Sequence, residues 1–348
     1  MRTYLRYFLG SSLVTIACLI IAVMYNPSNF IYTLYIVILL GILEVSLSFD
    51  NAVVNAKVLK KMSPFWRQLF LWLGIFIAVF VVRLVVPIAM VAFAGDHGFM
   101  ETFSLAAQQP SIFQAHLEAS YPIISAFGGG FLLMIFLNFL FSKEERLQWI
   151  KKIENSHFVK RNNNPHLPLM IGLILSLIFI VTYSYTIEFS SAMLISLLLG
   201  VGLSHGLGSL NQKVSGMGSL AKAGILGFIY LEVLGASFSF DGIFGALVIS
   251  SDIIIILLGL MIGAMFVRSL TIYMVDKNTL ETLPYLEHGA HYSIAYLAIS
   301  MWVKNFTHIP EYITGTVSIA FIIAALICSI RLNQKEKYDS EAACPQSV

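Results

Sequence analysis

The chain has 348 residues, 58% of them apolar and only 11% charged, with a net charge of +2. Those proportions exclude an ordinary soluble domain, in which about a quarter of residues are charged. They also argue against nucleic-acid binding, because the basic residues are scattered and no arginine–aromatic platform accompanies them.

Apolar stretches close to the roughly 20 residues needed to span a bilayer recur along the whole chain. In chain order the predicted spans are residues 7–24, 30–56, 68–94, 121–141, 168–187, 190–208, 221–250, 252–275, 289–303 and 311–331. The predicted fold is therefore all-α, a polytopic membrane helix bundle of about ten transmembrane helices. In the first span apolar residues continue past Cys18 to Met24, which reads as an uncleaved anchor and not a signal peptide. Cys18, Cys328 and Cys344 are too scattered for a disulfide framework. Trp66, Tyr121 and Trp302 fall at span ends and read as interfacial anchors.

Lysine and arginine set the orientation, since cytoplasmic loops hold an excess of both. With the N-terminus inside, 18 of the 21 basic residues lie on the interior side. Lys304 alone is outside, while Arg83 and Arg268 lie within spans. The expected location is the cell inner (plasma) membrane, with both termini cytoplasmic. Residues 1–331 form one transmembrane domain, 142–167 a cytoplasmic loop, and 332–348 a disordered cytoplasmic tail. Within the loop, Glu145–Glu154 reads as a solvated connector.

One phrase occurs twice. Ser46-Leu47-Ser48-Phe49-Asp50-Asn51 returns as Ser237-Phe238-Ser239-Phe240-Asp241-Gly242, preceded by Glu44 and Glu232. Downstream, Leu73-Gly74 followed by Arg83 matches Leu258-Gly259 followed by Arg268. The copies fall on the second and third spans and on the seventh and eighth. That odd offset predicts two inverted repeats, a half A of about 30–141 and a half B of about 221–331, with a site near the midplane between them. If the fifth and sixth spans together cross only once, the repeats are parallel instead.

Ionisable groups at membrane depth each cost about 2.5–3.5 kcal/mol on insertion scales, so they mark partners or function. On a regular helix Glu44, Ser48, Asn51 and Asn55 share a stripe and Asp50 points elsewhere. A helix that breaks at the motif would gather these oxygens, and Asn51 and Gly242 are residue types that tolerate an irregular backbone. A local break in each copy is the expectation. Four carboxylates and two arginines leave two negative charges, which one divalent cation or protons on the glutamates could balance. Oxygen ligands without Cys or His suit Mn²⁺, Mg²⁺ or Ca²⁺. The plainer alternative is a buried Asp–Arg pair in each half that serves assembly alone.

A second cluster, Glu287-His288-Gly289-Ala290-His291, opens the ninth span. His288 and His291 form a candidate second metal site, with Glu281 or Glu287 assisting, set against plain interfacial packing. Ser204-His205 lie side by side and cannot face each other as nucleophile and base; the glycines around them suit close helix packing.

At Glu44–Asn51 and Glu232–Gly242 the chain resembles the TerC-like integral membrane proteins, named for tellurium resistance. The forms Ala236–Gly242 and Leu286–Tyr292 resemble a poorly characterised branch of that group. The resemblance implies manganese export or a related metal-homeostasis role; the buried acids, which can take protons as they release a divalent metal cation, fit a secondary transporter working by proton antiport. Carried over by position, it implies metal ligation by Glu44, Asp50, Asn51, Glu232 and Asp241; Ser48, Ser239, Arg83 and Arg268 are read from the motifs themselves as supporting residues. The second motif ends Asp-Gly where exporters usually show Asp-Ser, which removes a hydroxyl ligand. The cation is substrate and no organic cofactor is expected; nor is an enzyme. The alternative is a membrane-embedded assembly or metallation factor for exported proteins, without transport activity, whose partner is a secretion machinery. A homo-oligomer fits either reading.

Overall fold

In the computed structural model the described residues are 2–85, 88–89, 91–92, 98–142, 147–161, 164, 166–186, 191–215, 220–250 and 252–343. Some helical residues, among them Arg83, Ser239 and Asp241, are described by their backbone alone. Twelve helices are labelled below: α1 (Arg2–Tyr25), α2 (Phe30–Leu47), α3 (Phe49–Lys60), α4 (Pro64–Phe76), α5 (Phe99–Gln108), α6 (Pro110–Leu140), α7 (Leu167–Thr186), α8 (Ser191–Ser215), α9 (Leu220–Ile249), α10 (Ile253–Asp276), α11 (Leu286–Val303) and α12 (Glu311–Ala343). A π-helical stretch, Ile77–Val85, continues α4.

Among the described residues, six helices are long and apolar enough to cross a membrane, and the apolar segments Ser191–Leu207 and Gly224–Phe238 are shorter. Outward faces carry Leu9, Leu13, Ile16 and Ile20 on α1, and Ile174, Leu177, Ile178 and Val181 on α7. A soluble helix would present polar residues there, so these faces identify the solvent as lipid. The protein is a multi-pass, all-helical membrane protein. Helix α11, the predicted ninth span, opens on Glu287, His288 and His291 and is not among the six.

Side-chain register gives the helix directions. Tyr7 stacks edge-on against Tyr273, and Tyr25 donates to Asp252 at 3.0 Å, so α1 and α10 are antiparallel. Leu40 lies against Gly259 and Glu44 against Gly263, which makes α2 parallel to α10. Met62 meets Gly227 and Glu44 meets Gly242, so α9 runs antiparallel to the α2–α3 pair. Trp66 meets Gly224 and Gly74 meets Glu232, so α4 and α9 are parallel. Phe136 packs on Tyr292 and Phe139 on His288, an antiparallel crossing of α6 and α11.

The α2–α10 crossing is close because Gly259 and Gly263 sit one turn apart, and no Cβ at either would fit beside Leu40 and Glu44. Without a hydrophobic drive between helices in lipid, such small-residue grooves supply the packing. Helix α3 ends where the Arg67 side chain donates to the Leu59 and Met62 carbonyls at 3.0 Å and to Lys60 O at 2.8 Å. A cationic side chain on the last carbonyls is a favourable helix end.

Four expectations need correction. The tail, predicted to be disordered from residue 332, is helical, and α12 runs on to Ala343. Its Gln, Lys, Glu and Ala residues extend a helix that the span has already nucleated, and Asn333 donates to Thr282 O at 2.6 Å. The connector is not simply solvated, because Glu154 is buried. Trp302 is no interfacial anchor: it is buried, stacked on Phe179 at 4.7 Å and 4°. A Cβ at Gly202 or Gly206 would meet nothing within 4 Å, whereas one at Gly200 would strike the Phe127 backbone; Gly208 lies outside the residues with described side chains.

Candidate functional site

The first motif sits where α2 gives way to α3. Ser48 adopts φ −107° and ψ 12°, off the helical values, and separates the two helices. The ladder still passes through it, with Ser48 N donating to Glu44 O at 2.9 Å and Ala52 N to Ser48 O at 3.1 Å. Asn51 N–H turns to the Asp50 carboxylate at 2.8 Å. The expected break is thus present in the first copy, as a single irregular residue.

The second copy differs. Helix α9 continues through Ser237–Gly242 without interruption, against the expectation of a break in each motif. Gly242 does not use its conformational freedom there; it provides space. A Cβ at Gly242 would stand 3.0 Å from Glu44 Oε2, so the second motif makes room for the acid of the first.

Glu44 is 2% exposed and Asp50 2%, while Ser48, Asn51 and Asn55 are also buried. Ser48 Oγ donates to Glu44 Oε1 at 2.9 Å, the i, i+4 contact expected on one helical stripe. Asp50 faces elsewhere: its Oδ2 accepts from Ser293 Oγ of α11 at 2.8 Å. An ionised carboxylate moved from water to a protein interior loses several kcal/mol unless hydrogen bonds or a cation replace the water. A proton or a cation on these acids would relieve that cost.

Glu232 and Arg268 form a separate node. Arg268 donates to the carbonyls of Phe70 and Gly74, each at 2.6 Å, and its guanidinium lies 4.2 Å over the Phe70 ring. Glu232 approaches the same guanidinium at 3.5 Å. Two backbone carbonyls, and not the carboxylate alone, fix the arginine where α4 loosens toward its π-helical stretch. Glu232 lies against Gly74, far along α9 from Gly242. Arg83, Ser239 and Asp241 belong to the predicted site, but their side chains lie outside the described residues.

His288 and His291 are drawn apart by their surroundings. The His291 ring stacks on Phe139 at 3.8 Å and 10°, and its Nδ1 is 2.8 Å from Glu287 O. His288 Nε2 instead lies 3.4 Å from Glu154 of the connector. Glu287 pairs with Lys57 at 2.6 Å and Glu281 pairs with Lys60, so both are engaged by lysines of α3. Among the described residues no three His, Cys, Asp or Glu side chains gather as a metal-holding group.

Sequence reasoning missed Ser293 and Glu154. Glu154 accepts from Trp149 N at 3.0 Å and from Tyr292 Oη at 3.1 Å, clasping the connector to α11. Burial opposes its ionisation, but the His288 ring and the Trp149 and Ile150 amides outweigh this and hold the carboxyl below its usual range. The available signal was the recurrence of polar residues, Glu287, His288, His291 and Ser293, in an otherwise apolar helix.

A family described as a protein of unknown function, DUF475, matches residues 49–336. No curated protein and no solved structure matches the chain.

Proposed function

The chain belongs to the DUF475 family, which carries no assigned activity, and from its buried acids we propose that it is a secondary transporter moving a divalent metal cation, Mn²⁺ foremost, across a bilayer. The observation that carries this reading is the meeting of the two motifs inside the bundle, where Glu44 of the first touches Gly242 of the second. Buried carboxylates between helices, lined by hydroxyl and amide oxygens, favour a hard cation.

Two further features support a pair of inverted halves. The helices that carry the motifs run in opposite directions, and matched positions make matched contacts. Nine residues before Asp50 and Asp241 stand Gly41 and Glu232. Glu232 lies against Gly74, and Gly41 lies near the Gly259 carbonyl, 3.5 Å from where its own Cβ would be. Gly74 and Gly259 are themselves the repeated glycines. In such architectures one half rocks against the other around a midplane site.

In this reading the acids Glu44 on α2, Asp50 on α3 and Asp241 on α9 belong to the path of the cation, and protons on the acids return as metal leaves. The Arg268–Glu232 node fixes α4 to the second half. The resemblance to TerC-like exporters supports the choice of Mn²⁺ and the export direction.

The test is flux in proteoliposomes. Mn²⁺ entry should be accompanied by an opposing pH change and should fall to background in Asp50→Asn and in Asp241→Asn. Undiminished flux in both variants would remove these acids from the path.

A further inference from the structure

Two seams of this bundle are held by different kinds of contact. Between α2 and α10 the backbones close on Gly259 and Gly263, and the fit itself supplies the attraction. Between α3 and α11 the contacts are polar. Asp50 accepts from Ser293 in the interior, Lys57 pairs with Glu287 at 2.6 Å two turns further along α3, and Lys60 pairs with Glu281 at its end. Seven residues separate Asp50 from Lys57 and six separate Glu287 from Ser293, so the antiparallel walls keep register. Exposure rises in the same order, from the buried Asp50 through the partly buried Glu287 to the exposed Glu281. A line of polar contacts thus runs from a motif acid to the surface.

Each wall is fastened to a different neighbour. Arg67 of α4 caps the end of α3. Ser329 and Asn333 of α12 instead bond the backbone at Tyr285 and Thr282, just before α11. Parting the walls returns charged side chains to water, and the hydration they regain offsets most of the attraction they lose. We infer that the α3–α11 seam is the route by which water and the cation reach Asp50 from the lysine-bearing end of the bundle, held shut in this structure by the Lys57–Glu287 and Lys60–Glu281 pairs. Opening draws the lysines of α3 away and leaves two carboxylates on the opposite wall to receive a divalent cation.

The inference rests on the cation reading above, and thiol labelling separates the two. Ala290 is fully buried and, at about 100° per residue, lies midway around α11 between Glu287 and Ser293. Ala290→Cys therefore reports on water in the seam. Full-length protein with Cys18, Cys328 and Cys344 replaced by Ala is placed in lipid nanodiscs and exposed to a charged methanethiosulfonate reagent. Labelling of Ala290→Cys should be slow. Lys57→Glu, which sets two acids face to face, should quicken it at least about threefold, and adding Glu287→Lys should restore the slow rate. Equal rates in all three, or a charge swap that stays as fast as Lys57→Glu alone, would overturn the seam as the route and leave the transport reading standing. Labelling that follows the charges in a protein with no Mn²⁺ flux would support the seam as a water route and overturn the transport reading.

Discussion

The first and second copies of the motif share Ser-x-Ser-Phe-Asp and differ in the polar residues around it. In the first, Ser48 interrupts the helix and a polar stripe of Glu44, Ser48, Asn51 and Asn55 is buried. In the second, α9 runs straight through and offers Gly242 and Ala246 in place of the two amides. The acids moved as well. Glu44 stands six residues before its Asp, where the second copy has Gly235, and Glu232 stands nine before, where the first has Gly41. A repeated sequence therefore does not imply a repeated role: one copy buries a polar stripe, and the other clears space and anchors an arginine.

That contrast can be broken at several points. The largest effect is expected from Glu44→Gln, which should reduce Mn²⁺ flux in proteoliposomes to background while the protein still elutes as a folded species. Arg268→Met is the next. It strands Glu232 in the interior and frees two carbonyls, so it should destabilise by about 3–5 kcal/mol, read as a lower melting temperature in detergent.

Gly242→Ala probes the clearance directly. Its Cβ would press on the flexible end of Glu44, so stability should change by under about 1.5 kcal/mol. Flux should nevertheless fall several-fold, because the acid is displaced. Equal flux in this variant would mean that the second copy's Gly242 has no part in the site.

The smallest effect concerns the connector. The Glu154 carboxyl titrates below its usual range when docked. The stabilisation is therefore complete above the ordinary carboxylate value of about 4.3. It is lost as pH falls through the lower docked value. The protection of amides across 147–161, expressed relative to their intrinsic exchange rates, should fall as pH drops below the ordinary carboxylate value of about 4.3 and should hold steady in Glu154→Gln. An unchanged pH response in that variant would place the switch elsewhere.

Much of the fold was legible because lipid imposes long apolar runs, and the repeated phrase by itself marks the acids. The helix break at Ser48 was legible too, since two serines and an Asp compete locally with the ladder. The intact second helix was not, because Gly242 reads equally as a breaker and as a space-maker; only its neighbour Glu44 decides. The docking of Glu154 was illegible for a similar reason. A charged residue in a basic connector reads as solvated until His288, Tyr292 and the Trp149 amide are seen around it. Within the connector, Glu154 and the Trp149 ring are turned to the chain's own α11.

The most direct test sets the two glutamates against each other. Equilibrium Mn²⁺ binding is measured for wild type, Glu44→Gln and Glu232→Gln, each with its metal-free melting temperature. Glu44→Gln is predicted to lose at least about tenfold in affinity, whereas Glu232→Gln should keep wild-type affinity and melt lower. Equal losses in both variants, or a loss confined to Glu232→Gln, would contradict a site built on the first copy.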